Sequence, residues 1–294
     1  MHNYLRAIGF SELKTKKELV EILQNLMNYK DSMDEHMYVK QDGNVLAEVK
    51  TYYGDGFGII WSGYLVGEKE FELDHVIPFA DGVHPMKEEQ PSVERKKDID
   101  SYIGICDDVR VGVSLIFQVQ NSKDCERYLT EEINLEEPAV AFAGLSTSGR
   151  ILLPIIKDEN DKRQADQNRI ELINAARKGD ERAIETLTLE DIDTYSKLSK
   201  RIMYEDVFSI VDSSFMPYGL ECDLYMIVCD IVAVEKTINI LTKEELYNME
   251  MSYNGFSFNV IINAKDLMGE PLPGRRFKGN IWLQGKIMDM ATEE

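Results

Sequence analysis

No apolar run in this sequence approaches the roughly 20 residues that a membrane-crossing helix needs. The longest, residues 224–234 and 139–145, are short, and Asp230 breaks the first. The start, Met1-His2-Asn3-Tyr4-Leu5-Arg6, lacks the extended apolar stretch of a secretory leader. Together these absences lead to an expectation of a soluble, cytoplasmic protein with no membrane partner. Cysteine is sparse as well: Cys106, Cys125, Cys222 and Cys229 form no C-x-x-C pair and match no zinc spacing. Buried, reduced thiols are the economical expectation. Histidine ends at His84, which excludes a Ser…Asp…His chain order for a hydrolytic triad built on Ser146 or Ser148, although not other chain orders. Positive charge is also short, with 33 basic residues against 53 acidic ones and a net charge of −20. A field of that sign repels phosphodiester backbones, so no nucleic-acid partner is expected. Within a Debye length of about 8 Å, a local basic patch still overrides it.

One such patch stands out. The segment Gly269-Glu270-Pro271-Leu272-Pro273-Gly274-Arg275-Arg276-Phe277-Lys278-Gly279 lies between strand-like runs at 256–263 and 280–287. Prolines and glycines make it a sharply shaped connection with little freedom to lose on folding. Arg275, Arg276 and Lys278 form a candidate pocket for a carboxylate or phosphate, with Trp282 as its flat wall. The competing reading is a structural hairpin whose arginines pair with the chain's own carboxylates, Glu270 among them. Alternation sets Trp282 and Gln284 on one strand face and Ile281 and Leu283 on the other, so one of these faces belongs to a core.

A second candidate is acidic. Met216-Pro217-Tyr218-Gly219 is a turn by its chemistry, and Glu221 and Asp223, two apart on an extended segment, face one way. With Asp212 they make an alternative site for a divalent cation or an acid–base pair. A solvated strand edge explains the same residues. Remaining motifs carry less. His75 and His84, near Asp74 and Asp81, match no metalloenzyme spacing. Gly54-Asp55-Gly56-Phe57-Gly58 lacks the Lys-Ser/Thr ending of a phosphate loop. Ser148 stands where a G-x-S-x-G nucleophile elbow around Ser146 needs glycine. No catalytic residue, metal site or cofactor is assigned.

Periodicity gives an α+β fold: two mostly antiparallel sheet regions, an N-terminal helix and a central three-helix block. Thr15 and Glu18 form a capping box ahead of Leu19, Ile22, Leu23 and Leu26. Strands are expected at 45–53, 57–66, 70–79, 101–106 and 110–120, a polar loop at 81–98, a short helix at 122–130, and a hairpin of 139–143 with 150–156. After a polar linker at 157–167, one helix ends at Gly179, a second starts at Asp180 and a third restarts at Thr188. These helices are expected to cover sheet faces. Strands return at 207–212, 222–234 and 237–241, with a helical turn at 242–245, before the two terminal runs. The divisions are 1–156, 157–204 and 205–294, three regions that one compact domain also accommodates.

Two strings are the most specific: Phe215-Met216-Pro217-Tyr218-Gly219-Leu220-Glu221-Cys222-Asp223, and Gly274-Arg275-Arg276-Phe277-Lys278-Gly279-Asn280-Ile281-Trp282-Leu283-Gln284-Gly285. With residues 4–10, 175–181 and 187–193, the whole chain resembles the bacterial domain-of-unknown-function family numbered 3881. The resemblance implies a cytosolic protein of anaerobic Gram-positive bacteria and brings no catalytic or ligand residue with it. Function then rests on the residues: a non-catalytic binding protein whose basic loop engages a small anion or an acidic protein segment. The alternative is a metal-assisted hydrolase or phosphoryl-processing enzyme using Asp212, Glu221 and Asp223 with the basic loop.

Overall fold

In the computed structural model of the protein, the described residues are 3–13, 15–27, 33–39, 45–66, 70–87, 91–96, 101–108, 110–122, 138–155, 159–201, 213–219 and 223–289. The chain opens with a 3₁₀ helix, η1 (Asn3–Ile8), and helix α1 (Lys16–Met27). The capping box forms: Glu18 N–H donates to Thr15 Oγ1 at 3.3 Å, and Thr15 N–H donates to Glu18 Oε2 at 3.4 Å. Strands β1 (Met33–Val39), β2 (Val45–Gly54), β3 (Phe57–Val66) and β4 (Glu70–Ala80) follow as an antiparallel meander in sequence order. Gly56, at φ 72°, supplies the left-handed position of the β2–β3 turn.

A larger sheet takes the remaining strands. These are β5 (Pro85–Lys87), β6 (Ser92–Arg95), β7 (Tyr102–Asp108), β8 (Val113–Val119), β9 (Pro138–Leu152) and β10 (Ser214–Pro217). After them come β11 (Leu224–Ile238), β12 (Glu245–Tyr253), β13 (Phe256–Asn263), a 3₁₀ turn η2 (Ala264–Asp266), β14 (Leu267–Met268) and β15 (Arg276–Asp289). The long strand β11 pairs with β15 along residues 224–230 and with β12 along 230–238. Since β12 pairs with β13, β13 with β9, and β9 with β15, five strands close into a ring. Closure removes sheet edges. Phe142, Tyr225, Met249, Phe258, Phe277 and Leu283 fill one core inside it. On the outer side Ala143, Leu145, Leu246, Ile261 and Trp282 meet η1 and the face of β2–β4 that carries Tyr53, Phe57, Ile59 and Trp61. Both faces of β9, β13 and β15 are therefore buried.

Several polar groups trapped between the layers are paired, which offsets their burial. Gln284 Nε2 donates to Pro78 O at 2.7 Å, while its Oε1 accepts from Ala80 N–H and from Gln120 Nε2, stapling β4 to β15. At the β11–β12 turn, Asn239 Nδ2 donates to Ile8 O at 2.8 Å and Thr242 Oγ1 to Gly9 O at 2.6 Å. Arg6 forks onto Asp266 with two bonds of 2.6 Å, which raises its pKa above the ordinary value. Together these bonds clasp the N-terminal segment to the ring.

The α+β expectation fails, because the protein is mostly β with one large mixed sheet. Parallel pairings of β9 with β13 and of β8 with β15 make that sheet mixed, and β9 runs between strands from the second half of the chain. Nor is there a three-helix block. Two helices follow β9: α2 (Glu159–Arg177) and α3 (Glu181–Arg201), joined at Gly179, φ 87°, with Asp180 Oδ1 accepting from Arg182 and Ala183 N–H. Thr188 caps nothing; its hydroxyl donates back to Ile184 O at 2.7 Å inside the continuous α3. Among the described residues, neither core takes a side chain from α2 or α3.

The expected hairpin around 145–149 is instead one strand, β9. A Cβ on Gly149 would stand 2.3 Å from the Phe277 ring, so that glycine clears space for an aromatic side chain rather than turning the chain. Strand β12 was not anticipated, and the turn before it, with Lys243 at φ 63°, replaces the expected helical turn. The loop expected at 81–98 contains β5 and β6. The strand expected at 207–212, and the helix expected at 122–130 beyond Ser122, lie outside the described residues. So do Cys125 and Cys222, whereas Cys106 and Cys229 are buried thiols.

Candidate functional site

The basic connection is built as its composition implies. Gly269 and Gly274 adopt φ 94° and 82°, which bulkier residues resist. Gly274 N–H donates to Ile231 O and Ile231 N–H to Arg275 O, each at 2.8 Å, pinning the loop to β11. Arg275 N–H closes the turn onto Leu272 O at 3.0 Å. The guanidinium of Arg275 donates to Glu270 O at 2.8 Å and lies 3.8 Å from Glu270 Oε2, in an exposed setting.

The four residues of the proposed pocket then part company. Arg276 is only 3% exposed; its Nε donates to Leu153 O at 3.0 Å, and across the ladder it stands opposite Asp230. Trp282, at 5% exposed, lies in the outer core with its ring stacked on Tyr4 at 5.3 Å. Its indole N–H donates to Asp223 Oδ2 at 2.9 Å, and Lys96 Nζ approaches the same oxygen at 3.5 Å. Neither side chain offers a surface to an outside ligand. Lys278 is half-buried and Arg275 partly exposed.

Pairing registers add residues that the sequence did not single out. Lys278 of β15 stands directly opposite Arg150 of β9, and Arg150 stands opposite Met268 of β14. Phe277 and Ile151, one position away, point into the ring, so this row lies on its outer side. The row grades from exposed Met268 and Arg150 through Lys278 to buried Val228. At its rim stand Leu153 and Leu272; with Met268 they are 74%, 40% and 63% exposed. Arg150, Lys278 and exposed Met268 thus share one outer face, and Arg275, Leu153 and Leu272 lie in the segments that adjoin it. No local pattern marks Arg150 or Met268, because only tertiary pairing brings them beside Lys278.

The acidic candidate gathers less. Asp212 and Glu221 lie outside the described residues, and Asp223 is engaged by Trp282 and Lys96. Among the described residues, no three His, Cys, Asp or Glu side chains are grouped to hold a metal. His75 Nδ1 sits 2.9 Å from Asp74, whereas His84 Nε2 reaches Glu250 on β12 at 3.0 Å. Ser146 is buried in β9, its hydroxyl donating to Ser148 O and Asn280 O. No helix in the described residues is long and apolar enough to cross a membrane.

Neither the curated proteins nor the solved structures contain a match to this sequence. The model of one family does match it, along residues 5–285, which takes in four strands of the closed ring and most of the fifth, β15. The chain belongs to that family, described as "Domain of unknown function, E. rectale Gene description (DUF3881)".

Proposed function

We propose that this is a non-catalytic binding protein that engages a carboxylate-bearing partner on the outer face of β14, β9 and β15. The observation that carries the reading is the cross-strand juxtaposition of Arg150 and Lys278. Like charges directly opposite one another on neighbouring strands destabilise a sheet, so two cations held there favour an anion between them. The Arg150 side chain makes no ion pair or hydrogen bond among the described residues, although the chain carries 53 acidic side chains. Arginine donates forked hydrogen bonds to carboxylates and so gives direction as well as attraction. Exposed Leu153, Met268 and Leu272 beside these cations favour a partner that brings apolar side chains along with its acids. Arg275 supplies a further cation at the rim, while Arg276 and Trp282 hold the framework.

The test is fluorescence anisotropy of the full chain titrated with a labelled peptide of alternating glutamate and leucine. The parent should bind more weakly as salt rises. Arg150→Ser/Lys278→Ser should weaken binding by about tenfold, the size expected for losing two solvent-facing charge contacts. Equal affinities for parent and variant would end the proposal.

A further inference from the structure

We infer that the partner is a second copy of this chain, which presents the exposed face of α3 to the basic row. This rests on the carboxylate-partner reading above and names its occupant. At about 100° per residue, Ile184, Ile192 and Leu189 fall within an arc of about 140° on α3. All three are 47–60% exposed. Glu181 and Glu185, also exposed, lie on the same arc as these apolar side chains. The opposite side of the helix carries buried Ala183 and half-buried Leu187. Three apolar side chains interleaved with two carboxylates complement exposed Met268 beside Arg150 and Lys278, with exposed Leu153 and Leu272 and the Arg275 cation in the adjoining segments.

Within one chain the two faces are not joined, since their six apolar side chains are each 40–74% exposed. Between two copies related by a two-fold axis, each α3 face meets the other copy's basic row. Every contact is then made twice, and the interface closes on itself without forming fibres. Apolar contacts at the centre would supply affinity, and the charges would fix orientation and partner choice.

Sedimentation equilibrium of the full chain, from about 1 to 100 μM, tests this. The parent should associate to a dimer. Arg150→Glu/Lys278→Glu and Glu181→Lys/Glu185→Lys should each raise the dimer dissociation constant by about tenfold or more. An equimolar mixture of the two variants should recover parental association, because in the mixed dimer one contact pairs the two reversed faces and the other pairs the two native ones. Should Lys278→Glu disturb folding, shown by a lower melting temperature, Arg150→Glu alone serves, since that side chain is exposed. A parent that stays monomeric, a dimer indifferent to both variants, or a mixture that fails to recover would each overturn the inference. A monomeric parent that still binds the acidic peptide through Arg150 and Lys278 leaves the carboxylate reading standing. A protein that does neither overturns both.

Discussion

Replacing Trp282 by phenylalanine separates packing from recognition at the carboxyl-terminal strand. Phenylalanine keeps a ring against Tyr4 but removes the N–H that donates to Asp223 at 2.9 Å. Asp223 is only 8% exposed, so water does not replace the lost donor easily. A hydrogen bond to a charged acceptor contributes about 1.5–3 kcal/mol net. Lys96, 3.5 Å from the same oxygen, keeps the carboxylate from being stranded, which favours the lower half of that range. With an unfolding entropy of about 2.1 cal/mol/K per residue, a loss of about 2 kcal/mol in a chain of 294 residues lowers Tm by about 3 °C. Urea unfolding and calorimetry measure the cost. Adding Asp223→Leu completes a double-mutant cycle, whose coupling energy should be about 1–2 kcal/mol. Binding of the acidic peptide should not change. A Trp282→Phe variant with parental stability and impaired peptide binding would refute the reasoning, because Trp282 would then be a ligand wall rather than a core residue.

Two further outcomes follow from buried groups. The Tyr53 hydroxyl is buried without a hydrogen-bond partner, and burial pushes its pKa up, partly offset by the nearby Thr51 hydroxyl. Because the folded pKa exceeds the unfolded value of about 10, the neutral phenol's contribution is complete below pH 10 and is lost as pH rises beyond it. Melting temperature above pH 10 should fall more steeply for the parent than for Tyr53→Phe, and near pH 7 the variant should match or exceed the parent; a markedly less stable variant contradicts this. Gly149→Ala should cost about 1–3 kcal/mol in urea unfolding, since its Cβ would press on the Phe277 ring at 2.3 Å inside a closed ring. Parental stability would show that the ring yields.

Local signals survive in the folded protein where short-range chemistry decides the outcome. The Thr15–Glu18 box, the Gly56 turn between β2 and β3, the Asp180 cap and the shaped loop at 269–275 each arise from groups a few residues apart. Local signals mislead where tertiary packing reassigns the same residue types. Gly149 reads as turn punctuation, yet it accommodates Phe277; Thr188 reads as a cap, yet it bonds back within a helix. In strand β12 Tyr247, Met249, Met251 and Tyr253 alternate with Asn248, Glu250 and Ser252 and face the inner core, so its period-two signal does stand in the sequence.

The candidate site divides along the same line. Its cations at 275–278 stand out in so acidic a sequence, and nothing about folding was needed to find them. Their fates were decided by pairing. Register against β11 and β9 buries Arg276 and leaves Lys278 beside Arg150, and a layer of η1 and β2–β4 removes Trp282 from solvent. Sequence by itself determined the family, the turns, the caps and the basic loop, because these depend on residue type and near neighbours. Ring closure, the burial of both faces of the central strands and the mixed cationic and apolar face belong to tertiary structure alone, because they depend on strands from distant parts of the chain sharing one ladder.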